Sequence, residues 1–249
     1  MSTVCAVVAE WEPGAESTTV AALGRQTRQP DRVVIAAPGQ PVARVSLGQE
    51  RWRWLLDGGV APKPDALERL LEVAAGSGQL PAPALLASKV VLPDGSLDPL
   101  SLPTAQVRDP DLAIAAFEHR VLSLRVARKG SLLVRRSDLE AVTSRWAHLD
   151  VFSDDLEWSA RLLGEHPGLL VPTSVAVRET GAGPPRRALA RRELVSRGRL
   201  LLGDAIERGD KPWFAFRFLE EALAELPRNR RYRNRPPWLR RARRHSTPS

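Results

Sequence analysis

"VCAVVAEWEPGAESTTVAALGRQTRQPDRVVIA" (residues 4–36) decides the fold. Residues 4–9 form an unbroken, Val-rich apolar run with the length of a strand buried on both faces. Pro13 and Gly14 fall in the loop that follows. Ser17 or Thr18 then caps a helix predicted to reach Thr27, with Val20, Leu23 and Gly24 on its inner side. Pro30 and Asp31 break it, and residues 32–37 (RVVIAA) read as a second buried strand closed by Pro38 and Gly39. Strand, helix, strand is a βαβ unit, which implies parallel strands and a right-handed crossover.

Working outward, residues 52–56 are the third strand. Residues 64–75 are the second helix, with proline in its first turn and Leu67, Leu70 and Leu71 at helical spacing. Residues 84–92 read as a strand, and the following "LPDGSLDP" carries the Asp-Gly signal of a hairpin. Residues 112–128 read as one amphipathic helix, 130–136 as a strand and 137–142 as a short helix. A helix over 155–163, stopped by Gly164, precedes a strand over 169–177. Residues 180–187 (TGAGPPRR) form a break, after which 188–202 and 212–226 are two helices with an apolar stripe and basic flanks. The expected class is α/β: a mostly parallel sheet flanked by helices, with a C-terminal helical extension.

At 249 residues, 43% hydrophobic and 27% charged, the chain has the composition of a soluble globular protein with room for a sizeable core. It has no uncharged apolar stretch long enough to span a bilayer. The N-terminal residues lack a basic region and a small-residue cleavage site, so a cytoplasmic protein is expected. One cysteine, Cys5, excludes an internal disulfide framework and a Cys-based zinc cluster. The net charge of +8 is local: residues 228–244 (RNRRYRNRPPWLRRARR) are arginine-rich and free of acid, while the rest is close to balance. Such a tail suits peripheral contact with anionic lipid at the inner face of a membrane. It equally suits a solvated end, and nucleic acid is the weakest of its readings because it rests on the tail alone.

In open α/β sheets ligands bind beyond the carboxyl ends of the strands. Residues 10–12, 37–40 and 57–59 fall there, Asp57 ending the third strand in "WRWLLDGG"; Asp154 and Asp155, which open a later helix, can face the same crevice, and Asp57 with this pair is the first constellation to weigh. Asp57 can also cap a turn with Gly58 and Gly59, and the Asp pair can serve only as first-turn acids. Glu157 and Arg161 are spaced to pair along the helix. The four histidines show no ligand spacing. Trp146, Trp158 and Trp213 read as core, with Trp158 near enough to the acidic motif to line an acceptor site.

In order, these features resemble inverting GT-A glycosyltransferases of family 2. Trp11, Leu23, Gln26, Thr27, Pro30 and Asp31 fall in register with that family's opening. "WRWLLDGGVAPKPDALERLL" is similar to its acidic nucleotide-sugar motif. "VVLPDGSLDP", "GSLLVRRSDLEAV" and "SDDLEWSARLL" resemble its hairpin, acceptor-side strand and catalytic motif. The resemblance spans about residues 4–178 and implies a catalytic domain over 1–179, a helical extension over 180–227 and the tail over 228–249. It implies transfer of a sugar, with inversion, from a nucleotide-diphospho-sugar to a hydroxyl of a cell-surface polysaccharide or lipid-linked saccharide. Asp155, with Asp154 before it, takes the place of the catalytic base. Trp11, Glu12, Asp57, Gly58 and Gly59 line the donor, and Glu157, Trp158 and Arg161 stand on the acceptor side. Asp57 is also the implied ligand of Mg²⁺ or Mn²⁺. The C-terminal helices suit packing on this domain, on a twin subunit or on a membrane. Departures from the family pattern favour a second reading, a degenerate binding or scaffold protein. Ala37 and Gly59 stand where the family has acids, and "VPTSVAVRE" (171–179) lacks its late histidine, Glu179 being the nearest candidate. Arg53, Lys63 and Lys89 are available to replace the metal's charge.

Overall fold

The computed structural model describes residues 2–10, 14, 16–36, 48–76, 80–106, 109–146 and 149–179. The expected break at 180–187, the helices over 188–202 and 212–226 and the arginine-rich tail lie outside them. The described elements are β1 (Val4–Ala9), α1 (Glu16–Gly24), β2 (Arg32–Ala36), β3 (Trp52–Asp57), β4 (Val60–Pro62), α2 (Ala66–Ala75) and β5 (Leu85–Val91). After them come β6 (Thr104–Ala105), α3 (Pro110–Glu118), β7 (Leu122–Val126), β8 (Ser131–Arg135), α4 (Arg136–Arg145), α5 (Asp155–Glu165) and β9 (Gly168–Arg178). None of these helices is long and apolar enough to cross a membrane.

One sheet runs in the order β2-β1-β3-β8-β5-β9-β7-β6, with β4 paired to β9. The opening βαβ reading holds, since β1 pairs parallel with both β2 and β3. The sheet as a whole is mixed rather than mostly parallel. Strand β8 is inserted antiparallel between β3 and β5, and both β4 and β7 run antiparallel to β9. Hydrophobic runs report burial and carry no direction, so the sequence pattern could not reveal those insertions.

The two faces of β1 show how the core is divided. Val4, Ala6 and Val8 join Leu23 of α1 and Leu67 and Leu70 of α2, together with Trp52, Trp54 and Leu56 of β3. Cys5, Val7 and Ala9 join Leu139 and Val142 of α4 and Trp158, Leu162 and Leu163 of α5. The period-two alternation of a strand thus gives each helical layer its own half of the core. Strand β2 differs from the expected buried strand: it is the sheet edge, with Val33 and Ile35 42% and 49% exposed.

Gln26 joins the first two helical units. Its Nε2 donates to the carbonyl of Lys63 at 2.8 Å, while its Oε1 accepts from the backbone N–H of Leu67 in the first turn of α2. Beside it, the Thr27 N–H donates to the Pro64 carbonyl at 2.7 Å. Gln26→Ala strands a buried donor and acceptor, and a loss of about 1–3 kcal/mol in urea unfolding is expected.

The long helix expected over 112–128 is instead α3 followed by β7. Arg120 adopts φ 56, and the N–H groups of Arg120 and Val121 turn back onto Phe117 and Ala116. That is a left-handed helix stop, usually signalled by glycine, so an arginine there gives no warning. "VLSLRV" then alternates as a strand. A left-handed L-residue costs roughly 1–2 kcal/mol, against a glycine entropy cost of roughly 0.5–1 kcal/mol. Arg120→Gly is therefore expected to raise the melting midpoint by about 1–3 °C.

Candidate functional site

The carboxyl ends of β1 and β3, the amino end of β8 and the first turn of α5 meet at one end of these neighbouring strands, inside the sheet's edges. Asp57 ends β3 and is 1% exposed. Its N–H donates to the Gly130 carbonyl at 3.1 Å, which ties it to the start of β8. Asp155 opens α5 and is 4% exposed. Its Oδ2 accepts from the Lys129 N–H at 2.8 Å and lies 3.5 Å from Nε of Arg128. The two acids, 98 positions apart (155 − 57), line the same cavity with Lys129, Gly130, Val151 and Phe152. Its volume is about 10 Å³, room for roughly one water.

Asp154 has a different job. Its Oδ2 accepts from the Asp150 N–H at 2.9 Å, and Asp150 Oδ1 in turn accepts from Phe152 and Ser153. These bonds close the 150–154 loop and so place Asp155 at the start of its helix. The glycines thread between strands. Gly58 donates to the Ala9 carbonyl at 2.7 Å, and the Gly59 carbonyl accepts from Glu179 at 2.9 Å. Gly59 has φ 80, a conformation that an aspartate would adopt only with strain. The turn therefore accounts for glycine at this position.

The partner of Asp57 is Arg178, the last residue of β9, which sequence reasoning missed. Arg178 Nη2 donates to Asp57 Oδ2 at 2.9 Å and to Ser101 Oγ at 3.2 Å, and its Nε donates to Asp98 Oδ2 at 2.7 Å. Arg178 and Asp98 are 3% and 2% exposed. Burial alone would lower the guanidinium's pKa, but the charge of Asp57 and the hydrogen bonds to both carboxylates outweigh it and hold it above the ordinary value. Of the proposed stand-ins, Arg53 bonds instead to Glu50, before β3, while Lys63 is exposed. A usable signal lay in "VAVRE": a charged residue closing an apolar strand, as Asp57 does. Glu179 accepts from Thr18 Oγ1 at 3.1 Å.

The residues around Asp57 do not fit a Mg²⁺ or Mn²⁺ ion. Such an ion needs carboxylate oxygens near about 2.0–2.1 Å and several waters, whereas Asp57 and Asp98 are buried and both engage a guanidinium. Among the described residues, no group of three His, Cys, Asp or Glu can hold a metal ion.

Of the residues expected on an acceptor side, Glu157 and Arg161 pair at 2.8 Å as their spacing predicts, but Glu157 is fully buried and Arg161 stacks over Trp146 at 4.5 Å. Trp158 is also fully buried, and its Nε1 donates to the Val151 carbonyl at 2.8 Å. Its ring packs in the core and presents no face to a sugar. Trp11 and Glu12 lie outside the described residues, as does the Ala37 position. Compared with models of known protein families and with curated protein sequences, the chain matches none.

Proposed function

We propose that the chain is an inverting glycosyltransferase of the GT-A type, using a nucleotide-diphospho-sugar as donor and a saccharide or lipid-linked saccharide hydroxyl as acceptor. The observation that carries this reading is that Asp57 and Asp155, picked out from separate motifs, line one cavity at the carboxyl end of the parallel strands.

In the reaction, the acceptor oxygen forms a bond to the anomeric carbon as the bond from that carbon to the diphosphate oxygen breaks. The electron pair leaves with the nucleotide diphosphate, and the acceptor proton passes to the Asp155 carboxylate. One attack from the face opposite the leaving group inverts the centre. Asp57, fixed in place by Arg178, stands on the donor side. The Arg128 charge and the Lys129 N–H orient Asp155.

A second reading, a non-catalytic binding or scaffold protein of the same ancestry, is favoured by the water-sized cavity. The test is release of nucleotide diphosphate from UDP-, GDP- and dTDP-sugars. Turnover that falls in Asp155→Asn supports the transferase. The absence of turnover with every donor, including when saccharide acceptors are supplied, leaves the scaffold reading.

A further inference from the structure

Helix α3 has the sequence of a buried helix and the position of an exposed one. "PDLAIAAFE" carries charge only at Asp111 and Glu118, and a helix apolar on nearly all sides is normally covered on all sides. Yet Ala116 is its one buried residue, packing with Val121 and Leu169. On the opposite side Pro110, Ile114 and Phe117 follow the i, i+4, i+7 spacing of a single stripe. All three are exposed, Ile114 by 60% and Phe117 by 77%. The rim is acidic: Asp109, Asp111 and Glu118 are exposed and outnumber Arg120. Two large side chains fall well short of the roughly 800 Å² per partner that a standard interface buries. Such a stripe suits a tethered segment, which docks at the effective concentration its linker sets, better than a free second copy.

We propose that residues 188–202 of the same chain dock on this stripe as a helix. "ALARRELVSRGRLLL" has four arginines and one glutamate, opposite in sign to the α3 rim. At helical spacing Ala190, Leu194 and Leu201 share one side, with Arg191 and Arg197 flanking it. Residues 212–226 (PWFAFRFLEEALAEL) are the rival, but their three glutamates and one arginine repeat the sign of the rim. The tether is long enough. Strand β9 lies beside β7 with Leu170 opposite Leu122, four positions past the end of α3 (122 − 118). Glu179 is nine positions beyond Leu170 (179 − 170), about 30 Å along the strand at roughly 3.3 Å per residue. Residues 180–187 extend to at most about 29 Å, and a helix over 188–202 adds about 22 Å.

The test is amide hydrogen exchange on the full chain, wild type against Leu194→Asp/Leu201→Asp, repeated after about tenfold dilution. In wild type, residues 110–118 and 188–202 are expected to exchange slowly at both concentrations. The double variant should speed exchange in both segments by about tenfold or more, with β1 and β3 unchanged. Phe117→Asp, a change at an exposed residue, should release 188–202 to the same extent. Exchange along 110–118 that is equal in wild type and Leu194→Asp/Leu201→Asp overturns the inference. So does release of 110–118 by Leu219→Asp/Leu223→Asp alone, which would assign the stripe to the rival segment. Protection lost on dilution also overturns it, and would assign the stripe to a second copy. If the double variant unfolds, seen as faster exchange in β1 and β3, Phe117→Asp decides alone.

Discussion

Arg178→Ala is expected to destabilise the fold by about 3–5 kcal/mol, the usual loss when one partner of a buried ion pair is removed. The size follows from what is left behind: Asp57 and Asp98, 1% and 2% exposed, would face each other without their shared cation. At roughly 2–4 °C per kcal/mol for a domain of this size, the melting midpoint should fall by about 10 °C. Removing all three charges, as D57N/D98N/R178M, should recover most of that loss, since a buried pair gains little over an apolar replacement. The pH dependence has a definite sign. The folded-state pKa of Arg178 is raised, so its contribution is fully present below the unfolded value. It is lost only as pH climbs through the raised folded value. Urea melts at neutral and mildly alkaline pH should therefore give the same difference between wild type and Arg178→Ala. A difference already lost at mildly alkaline pH would mean that the guanidinium is not what holds these acids.

Asp155→Asn is the second large effect. A positioned general base contributes about 10²–10⁴-fold, so donor turnover should drop by that factor while nucleotide affinity stays within about twofold. The substitution keeps the side chain's shape and one acceptor oxygen for the Lys129 N–H. It also gives up the charge that faces Arg128, so some loss of stability is expected and the rate is compared at a temperature where the melting curve shows the variant folded. Asp154→Asn should behave differently. Its carboxylate closes the 150–154 loop, so the rate loss should be smaller and accompanied by lower stability. Equal turnover in wild type and Asp155→Asn would remove Asp155 from the chemistry.

Much of this was legible in the chain. The parallel pairing of β1 with β2 and β3 follows from three apolar runs and a helix; β1 and β3 are fully buried as an unbroken hydrophobic run implies, whereas β2 has the same signature at an exposed edge. Asp57 and Asp155 were legible because each is an acid at the boundary of a well-marked element. Their convergence on one cavity depends on β8 entering beside β3, which no local pattern encodes. The Arg178 bridge was hidden for the same reason: 121 positions separate it from Asp57. The β7 strand was hidden by a helix stop built on arginine rather than glycine. Trp158, which an acceptor site would have used, is fully buried because α5 turns that side of the helix to the sheet.

The proposed transferase activity requires a nucleotide diphosphate to bind beside Asp57 and Asp155. Amide hydrogen exchange with saturating UDP, GDP or dTDP, in EDTA, tests this directly. Slower exchange in the segments around 57–59, 128–131 and 151–155, with little change along the sheet edge at 32–36, is the expected result. Exchange that is unchanged with all three nucleotides, or protection confined to other segments, would contradict it.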